Sequence, residues 1–127
     1  MRTILAAQAP APIGPYSQAI ETNGFIFCSG QIPLDPASGN LIDGNVREQT
    51  QRVLSNLREV LAAAGSSPDR VVKTTIFLIS MSDFASVNAE YERFFGTSKP
   101  ARSTVAVAEL PRGARVEIEA IALTAER

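Results

Sequence analysis

An arginine stands at the start of a strand-like stretch, residues 98–110, which reads SKPARSTVAVAEL. Val105 and Val107 alternate with small residues at the two-residue period of a β-strand, and Arg102 falls on the face opposite these valines. A guanidinium stays charged and can hold a carboxylate through two parallel hydrogen bonds. Arg102 is therefore either the solvated end of an edge strand or the anchor of a small anionic ligand.

Two carboxylates form a second candidate group. Glu117 and Glu119 are two residues apart in VEIEAIAL, so a strand would place them on one face together with Ile121 and Leu123. Burial on a partly apolar face would raise their pKa values and suit them to acid–base chemistry. The alternative is an exposed strand end, where charged side chains discourage aggregation.

Further candidates lie at strand ends and on a predicted helix. Ser29 and Gly30 end an apolar strand, where a glycine either lets a ligand approach the backbone closely or forms a bulge. Tyr16 could reach a polar ligand, although a buried tyrosine bonded to backbone is the commoner arrangement. Asn88 lies on the inner side of its helix and needs polar partners, so we expect it first to have a structural role. Cys28 is predicted to belong to the core.

Composition excludes several classes of function. The chain has 127 residues, of which 45% are hydrophobic, and a formal net charge of −1, so we predict one packed domain over residues 1–127. The near-neutral charge argues against nucleic acid as a partner. No apolar run is long enough for a membrane span, and the N-terminal segment does not have the pattern of a signal peptide.

Cysteine and histidine usage limits the chemistry further. The single cysteine cannot form an intrachain disulfide, which is typical of a reducing compartment, and we expect a cytoplasmic protein. The sequence contains no histidine, so a zinc site is disfavoured and any catalysis must use arginine, lysine, carboxylates, hydroxyls, backbone groups and water.

The elements that must position these residues are predicted in the order β-ββ-α-β-α-ββ. Asn23-Gly24 is a strong hairpin signal between two strand-like runs. Asn45 and Glu48 form a capping-box pattern at the start of the first helix, which Gly65 ends, and Ser82 is predicted to cap the second helix. The predicted strands cover residues 2–5, 16–22, 25–31, 70–79, 102–109 and 115–124, and the second and third of them form this hairpin. This order indicates an α+β domain with a mixed sheet.

One face of this sheet should lack a cover within the chain, because two helices can cover only the other face. The strand over residues 71–79 is nevertheless apolar on both sides, with Val71, Phe77 and Ile79 on one and Val72, Ile76 and Leu78 on the other. A second copy of the chain is the simplest cover, so the pattern predicts a homo-oligomer.

Six segments together resemble the RidA/YjgF family, in the order in which that family has them and over almost the whole chain. The segments are IGPYSQAI (13–20), SGQIP (29–33), VVKTTIFL (71–78), FASVNAEYERFF (84–95), PARSTV (100–105) and LPRGARVEIEAIA (110–122). The resemblance implies a chorismate-mutase-like α+β fold, with two helices on one face of the sheet, that assembles as a homotrimer with three sites between subunits.

The resemblance also implies an activity. Such enzymes are deaminases that hydrolyse reactive 2-imino acids, such as 2-iminobutanoate and 2-iminopropanoate, which dehydratases release, to 2-oxo acids and ammonia without a cofactor. The implied site assigns the substrate carboxylate to Arg102 and the attacking water to Glu117. The other implied substrate-binding residues are Tyr16, Ser29, Gly30, Asn88 and Thr104, with Gly30 and Thr104 acting mainly through backbone groups.

This sequence departs from the family pattern before the PAR motif. The connection GTSK is short, and Lys99 stands where many members have a phenylalanine. Lys99 either favours a second negative charge on the substrate or points to solvent. A non-catalytic trimer that binds 2-oxo or amino acids is the alternative function. A ribonuclease, the activity attached to some relatives, is disfavoured by the absence of histidine and the near-neutral charge.

Overall fold

The computed structural model describes residues 1–125, which form a six-stranded mixed sheet and two α-helices. The sheet order is β1-β2-β3-β6-β4-β5, in which only β4 and β5 are parallel neighbours. The helix α2 makes the crossover that a parallel pair requires. The bounds are β1 Arg2–Ile4, β2 Ala19–Thr22, β3 Phe25–Gln31, α1 Val46–Ala63, β4 Val71–Leu78, α2 Phe84–Phe95, β5 Ala101–Ala106 and β6 Val116–Leu123. The predicted element order and the α+β mixed sheet with two helices are confirmed.

The first helix begins and ends where its sequence predicts. The Asn45 side chain accepts the Glu48 backbone N–H, and the Glu48 carboxylate accepts the Asn45 backbone N–H, both at 2.9 Å. These two bonds complete the predicted capping box. Gly65 follows the last turn with φ of 78°, a left-handed conformation that glycine adopts without steric penalty.

The second helix begins later than predicted. Ser80, not Ser82, accepts a backbone N–H at the start of a short 3-10 turn, Met81–Asp83, and α2 follows from Phe84. The Ser82 N–H is itself the donor to Ser80 Oγ. The prediction that Ser82 caps α2 is therefore wrong, because the chain inserts a 3-10 turn between the cap and the helix.

The hydrophobic core lies between the helices and one face of the sheet. Its largest fully buried apolar side chains come from α1, α2 and the three central strands: Ile26, Val53, Leu57, Val60, Leu61, Ile76, Leu78, Val87, Val116 and Ile118. Cys28 is buried in the same core, as predicted, and burial raises the pKa of its thiol to about 12. An unreactive thiol is the consequence.

The opposite face of the sheet has no cover within residues 1–125. Phe27 and Val105 remain 45% and 44% exposed there, and Phe25 is 40% exposed. This agrees with the pattern from which an oligomer was predicted. None of the helices within residues 1–125 is long and apolar enough to cross a bilayer.

One assignment of faces in β4 is wrong. Val72 was expected on the same face as Ile76 and Leu78, but it is exposed, whereas Val71 is buried. The pairing of β4 with β6 shifts register between Val71 and Lys73. An irregularity of this kind inserts one residue, so it reverses the alternation on one side of it.

Candidate functional site: two half-sites on one chain

The first half-site is a cavity of about 590 Å³ at the junction of β3, β6 and the loop before β2. Tyr16, Ser29, Gly30 and Glu117 all line it, so the structure brings these four predicted residues together. Glu119, Gln31 and Arg112 line the same cavity. We call this cavity the acidic half-site because two glutamates share it.

An irregularity in β3 shapes the wall of the acidic half-site. The pairing of β3 with β6 shifts register between Cys28 and Gln31, so the interpretation of Ser29-Gly30 as a bulge is consistent with the structure. Ser29 Oγ donates to the Ser17 carbonyl at 2.6 Å, and its backbone N–H donates to the Gln18 carbonyl at 2.9 Å. These bonds hold the irregular segment against the loop that carries Tyr16.

Gly30 and Glu117 are in direct contact across this irregularity. A Cβ atom at residue 30 would overlap Oε2 of Glu117, and the Glu117 Cγ would stand 3.0 Å from it. Any residue larger than glycine would therefore displace this carboxyl group or the strand. The bulge and the ligand-site interpretations of Gly30 are thus compatible, since the missing side chain makes room for Glu117.

The environment of Glu117 raises the pKa of its carboxyl group. Burial raises the pKa of the Glu117 carboxyl above its usual 4.5, and the like charge of Glu119 raises it further. A carboxylate with a raised pKa is a better proton acceptor than one in water. Glu117 therefore has the raised pKa that the sequence predicted for a carboxyl group on a partly apolar strand face.

Tyr16 is an exposed wall of the acidic half-site. It is 52% exposed, and its hydroxyl accepts the Ile13 backbone N–H at 3.3 Å. The commoner arrangement, a buried tyrosine bonded to backbone, is therefore not the one found. The phenol O–H stays available to donate to a ligand.

The second half-site is a cavity of about 480 Å³ between α2 and the start of β5. Asn88, Tyr91, Lys99 and Arg102 line it, together with Glu92. None of the residues of the acidic half-site named above takes part in it. We call it the basic half-site because of its lysine and arginine.

Arg102 is held in place by α2. Its Nη1 donates to Asn88 Oδ1 at 2.7 Å, and its guanidinium carbon lies 4.9 Å from the centre of the Tyr91 ring and 5.5 Å from that of Phe84. Tyr91 is fixed in turn by a 2.8 Å hydrogen bond between its hydroxyl and Thr74 Oγ1. Stacking on aromatic faces leaves the edge of the guanidinium free to bind an anion.

Asn88 lines the basic half-site, whereas Thr104, also a predicted site residue, lines neither of the two cavities. Asn88 does not tie down a loop, as its structural interpretation expected, but accepts a hydrogen bond from Arg102 on the neighbouring strand β5. Thr104 follows Arg102 on the same face of β5, and its hydroxyl oxygen is buried without a hydrogen-bond partner within residues 1–125. Lys99 is exposed at the rim of the cavity.

The predicted site residues therefore fall into two groups in one chain. The acidic half-site contains the carboxyl groups of Glu117 and Glu119, and the basic half-site contains the guanidinium of Arg102. Hydrolysis of a small carboxylated substrate needs an anion-binding group and a proton acceptor that both reach the same substrate molecule.

Arg112, in the turn before β6, is a lining residue of the acidic half-site that sequence reasoning missed. Its place between Pro111 and Gly113 in a tight turn is unusual for an arginine.

The fold and the two cavities define a small α+β protein with one cavity lined by two glutamates and another lined by an arginine and a lysine. Residues 6–124 match the family model described as Endoribonuclease L-PSP. Together with the relatives below, this match shows that the chain belongs to the RidA/YjgF family, as its motifs indicated.

Three relatives illustrate the similarity. The chain is 52% identical over 122 residues to 2-iminobutanoate/2-iminopropanoate deaminase of Mus musculus, which covers 96% of this chain and 90% of the mouse protein. It is 47% identical to the crystal structure of the Rid family protein YyfA from Yersinia pestis, with a TM-score of 0.94 over 97% and 98% of the two chains. It is 38% identical to E. coli TdcF with bound serine, with a TM-score of 0.93 over 98% of this chain and 100% of the TdcF chain.

Proposed function

We propose that this protein is a 2-iminobutanoate/2-iminopropanoate deaminase, a cofactor-independent hydrolase that removes reactive imine and enamine intermediates released by dehydratases. The observation that carries the proposal is the presence on one chain of an anchored arginine and a half-buried glutamate with a raised pKa, in separate and individually incomplete cavities. The deaminase name of the mouse relative and the serine bound to TdcF support a small amino-acid-like substrate. We expect the protein to act in the cytoplasm.

Arg102 supplies the anchor in this mechanism. The contacts with Asn88 and Tyr91 fix the plane of the guanidinium before a substrate arrives. The two free N–H groups on its edge would then bind the substrate carboxylate bidentately, which also fixes which face of the imine carbon is presented. The anchor therefore lowers the entropic barrier rather than taking part in proton transfer.

Glu117 supplies the proton acceptor. It accepts a proton from a water molecule whose oxygen adds to the carbon of the protonated imine, and a carbinolamine forms. Glu117 then returns the proton to the nitrogen, and the C–N bond breaks as the C=O bond of the 2-oxo acid forms. Glu117 accepts the proton of the hydroxyl group in this step and passes it to the departing ammonia, which leaves as ammonium. Tyr16 and Ser29 line the same cavity and would orient the water and the nitrogen.

A second copy of the chain would bring the half-sites together. In a homotrimer, a head-to-tail interface repeated by a threefold axis places the same two surfaces against each other three times. The exposed apolar side chains of Phe27 and Val105 on the open sheet face give such an interface a hydrophobic contact area. Each subunit would then donate Arg102 to one site and Glu117 to another.

A coupled assay tests the activity. An amino-acid oxidase generates the imine from alanine or 2-aminobutyrate, semicarbazide traps it, and an active deaminase suppresses semicarbazone formation. We expect suppression by the wild type, a roughly 100-fold loss of kcat/KM in Arg102→Ala and a loss of about tenfold in Arg102→Lys, which keeps the charge but not the planar geometry. Sedimentation of each variant checks that the assembly is intact.

The same assay separates the alternatives. No suppression by a correctly assembled wild type would overturn the deaminase. Binding of serine or a 2-oxo acid that Arg102→Ala abolishes would then identify a non-catalytic metabolite-binding protein.

A further inference from the structure

Arg112 is the one basic residue that lines the acidic half-site within the part of the chain described, residues 1–125. The other charged residues of that cavity are Glu117 and Glu119. The deaminase mechanism proposed above gives Arg112 no role, since Arg102 of the other half-site holds the substrate carboxylate. The presence of a second guanidinium therefore needs a separate explanation.

The backbone at Arg112 is not suited to an arginine. Its φ of 63° and ψ of 14° lie in the left-handed region, and Asn23 in the hairpin turn is the only other residue besides glycines with positive φ within residues 1–125. A side chain with a Cβ is disfavoured there by steric contact with the backbone, and glycine or asparagine fits better. Strained residues of this kind concentrate at ligand-binding positions.

The Arg112 side chain has donors to spare. Its nearest polar partner is the Gly39 carbonyl, which lies 3.5 Å from Nη1, at the outer limit of a hydrogen bond. Within residues 1–125 it forms no ion pair. A guanidinium has five N–H donors in a planar fork, so at least four of them remain free to bind an anion.

The charges that line the cavity determine where in it such an anion would bind. Glu117 and Glu119 project from the β6 floor of the cavity and repel a carboxylate there, whereas Arg112 lies at the turn that leads into β6. An anionic substituent extending from a substrate beside Glu117 would therefore be held at Arg112.

We propose that Arg112 is a specificity-determining residue that binds a second carboxylate, so that imino acids derived from dicarboxylic amino acids are substrates. The proposal rests on the deaminase function. Arg102 holds the carboxylate next to the imine carbon and Arg112 holds the carboxylate at the far end of the side chain. Arg112 does not take part in the proton transfers, which are the same for both kinds of substrate.

The test compares two imines in the semicarbazide assay. An aspartate oxidase supplies the dicarboxylic imine 2-iminosuccinate, and an amino-acid oxidase supplies 2-iminopropanoate. We expect the wild type to hydrolyse both, Arg112→Gln to lose about tenfold in kcat/KM for 2-iminosuccinate alone, and Arg112→Lys to recover part of that loss. The matched control Arg58→Gln removes the same charge from α1, where Arg58 stacks on Phe94 away from both half-sites.

The outcomes distinguish this inference from the function on which it rests. Hydrolysis of 2-iminopropanoate but not 2-iminosuccinate by the wild type would overturn the role of Arg112. The role of Arg112 would also be overturned if Arg112→Gln lowered kcat/KM equally for both imines, or lowered it for neither. Hydrolysis of neither imine would overturn the deaminase itself and this preference with it.

Discussion

Glu117 is surrounded by groups that each act on its carboxyl group in an identifiable way. Gly30 leaves the space that the carboxyl group fills, partial burial reduces its contact with water, and Glu119 adds a like charge two residues along the strand. The strand period places Glu119 on the same face as Glu117, whereas the contact with Gly30 depends on the register shift between β3 and β6. The properties of the proposed base therefore arise from its neighbours, and each neighbour can be changed separately.

Substitution of Glu119 tests the electrostatic contribution. Because the Glu119 charge raises the pKa of Glu117, Glu119→Gln should lower that pKa toward, but not below, its usual value of 4.5, since burial remains. The carboxylate form then persists to lower pH, so the acid limb of the kcat/KM profile should move to lower pH. A pH profile of imine hydrolysis measures this, and an acid limb that stays in place or moves upward would count against Glu117 as the base.

Substitution of Gly30 tests the steric contribution. In Gly30→Ala the new Cβ must displace the Glu117 carboxyl, so we expect kcat to fall roughly 10- to 100-fold while the fold persists. Gly44→Ala is the matched control, because its Cβ would meet the end of another glutamate, Glu48, outside both half-sites. Equal activity of the two variants would contradict the proposed contact.

At the scale of elements, side chains from α1 hold the loops that border the acidic half-site. Asn56 is fully buried, its Nδ2 donates to the Leu34 carbonyl at 2.9 Å, and its Oδ1 accepts from Arg52 at 3.1 Å. Leu34 and Ile32 line the cavity. The helix therefore stabilises the wall of the site without contacting its contents.

Removal of the Asn56 amide tests this connection. Asn56→Ala leaves the buried Leu34 carbonyl without its donor, which costs about 1–3 kcal/mol in the free energy of unfolding. Ser55→Ala, one residue earlier in α1, is the control and should change stability by less than about 0.5 kcal/mol. Urea denaturation measures both values, and similar stabilities for the two variants would show that the bond to Leu34 is not needed.

The sequence predicts regular elements well because one or two local residues determine them. The Asn45–Glu48 capping box, the Asn23-Gly24 hairpin and the alternation in β6 all act within a few residues. The register shift at Val72 and the 3-10 turn before α2 depend on pairing with distant strands and on packing, so they are not apparent in the local pattern.

The sequence predicts the candidate site less completely than it predicts the helices and strands. The motifs name its residues, but their division into two cavities follows from the positions of β5 and β3 on different parts of the sheet. The contact between Gly30 and Glu117 requires two strands to be adjacent and out of register, which no single segment encodes. Arg112 was missed because nothing in its segment indicates a cavity.

At the scale of the whole molecule, the open sheet face and the two half-sites both support the homotrimer proposed above. Phe27→Glu should place a charge in the proposed interface and dissociate the trimer, because burial of an unpaired carboxylate is strongly unfavourable. Leu5→Glu is the control, since Leu5 is 78% exposed after β1 at the far edge of the sheet. Analytical ultracentrifugation should find dissociation in the first variant only, and a stable trimer in both would remove this face from the interface.

The central claim is that each site combines Arg102 of one subunit with Glu117 of another. Arg102→Ala and Glu117→Gln are each expected to be inactive, and co-expression or joint refolding would mix them in one trimer. With random mixing, about a quarter of the shared sites contain both native residues, so the mixture should regain about a quarter of wild-type imine hydrolysis. A correctly mixed trimer that stays as inactive as its two parents would show that both residues must come from the same chain, and would contradict the account.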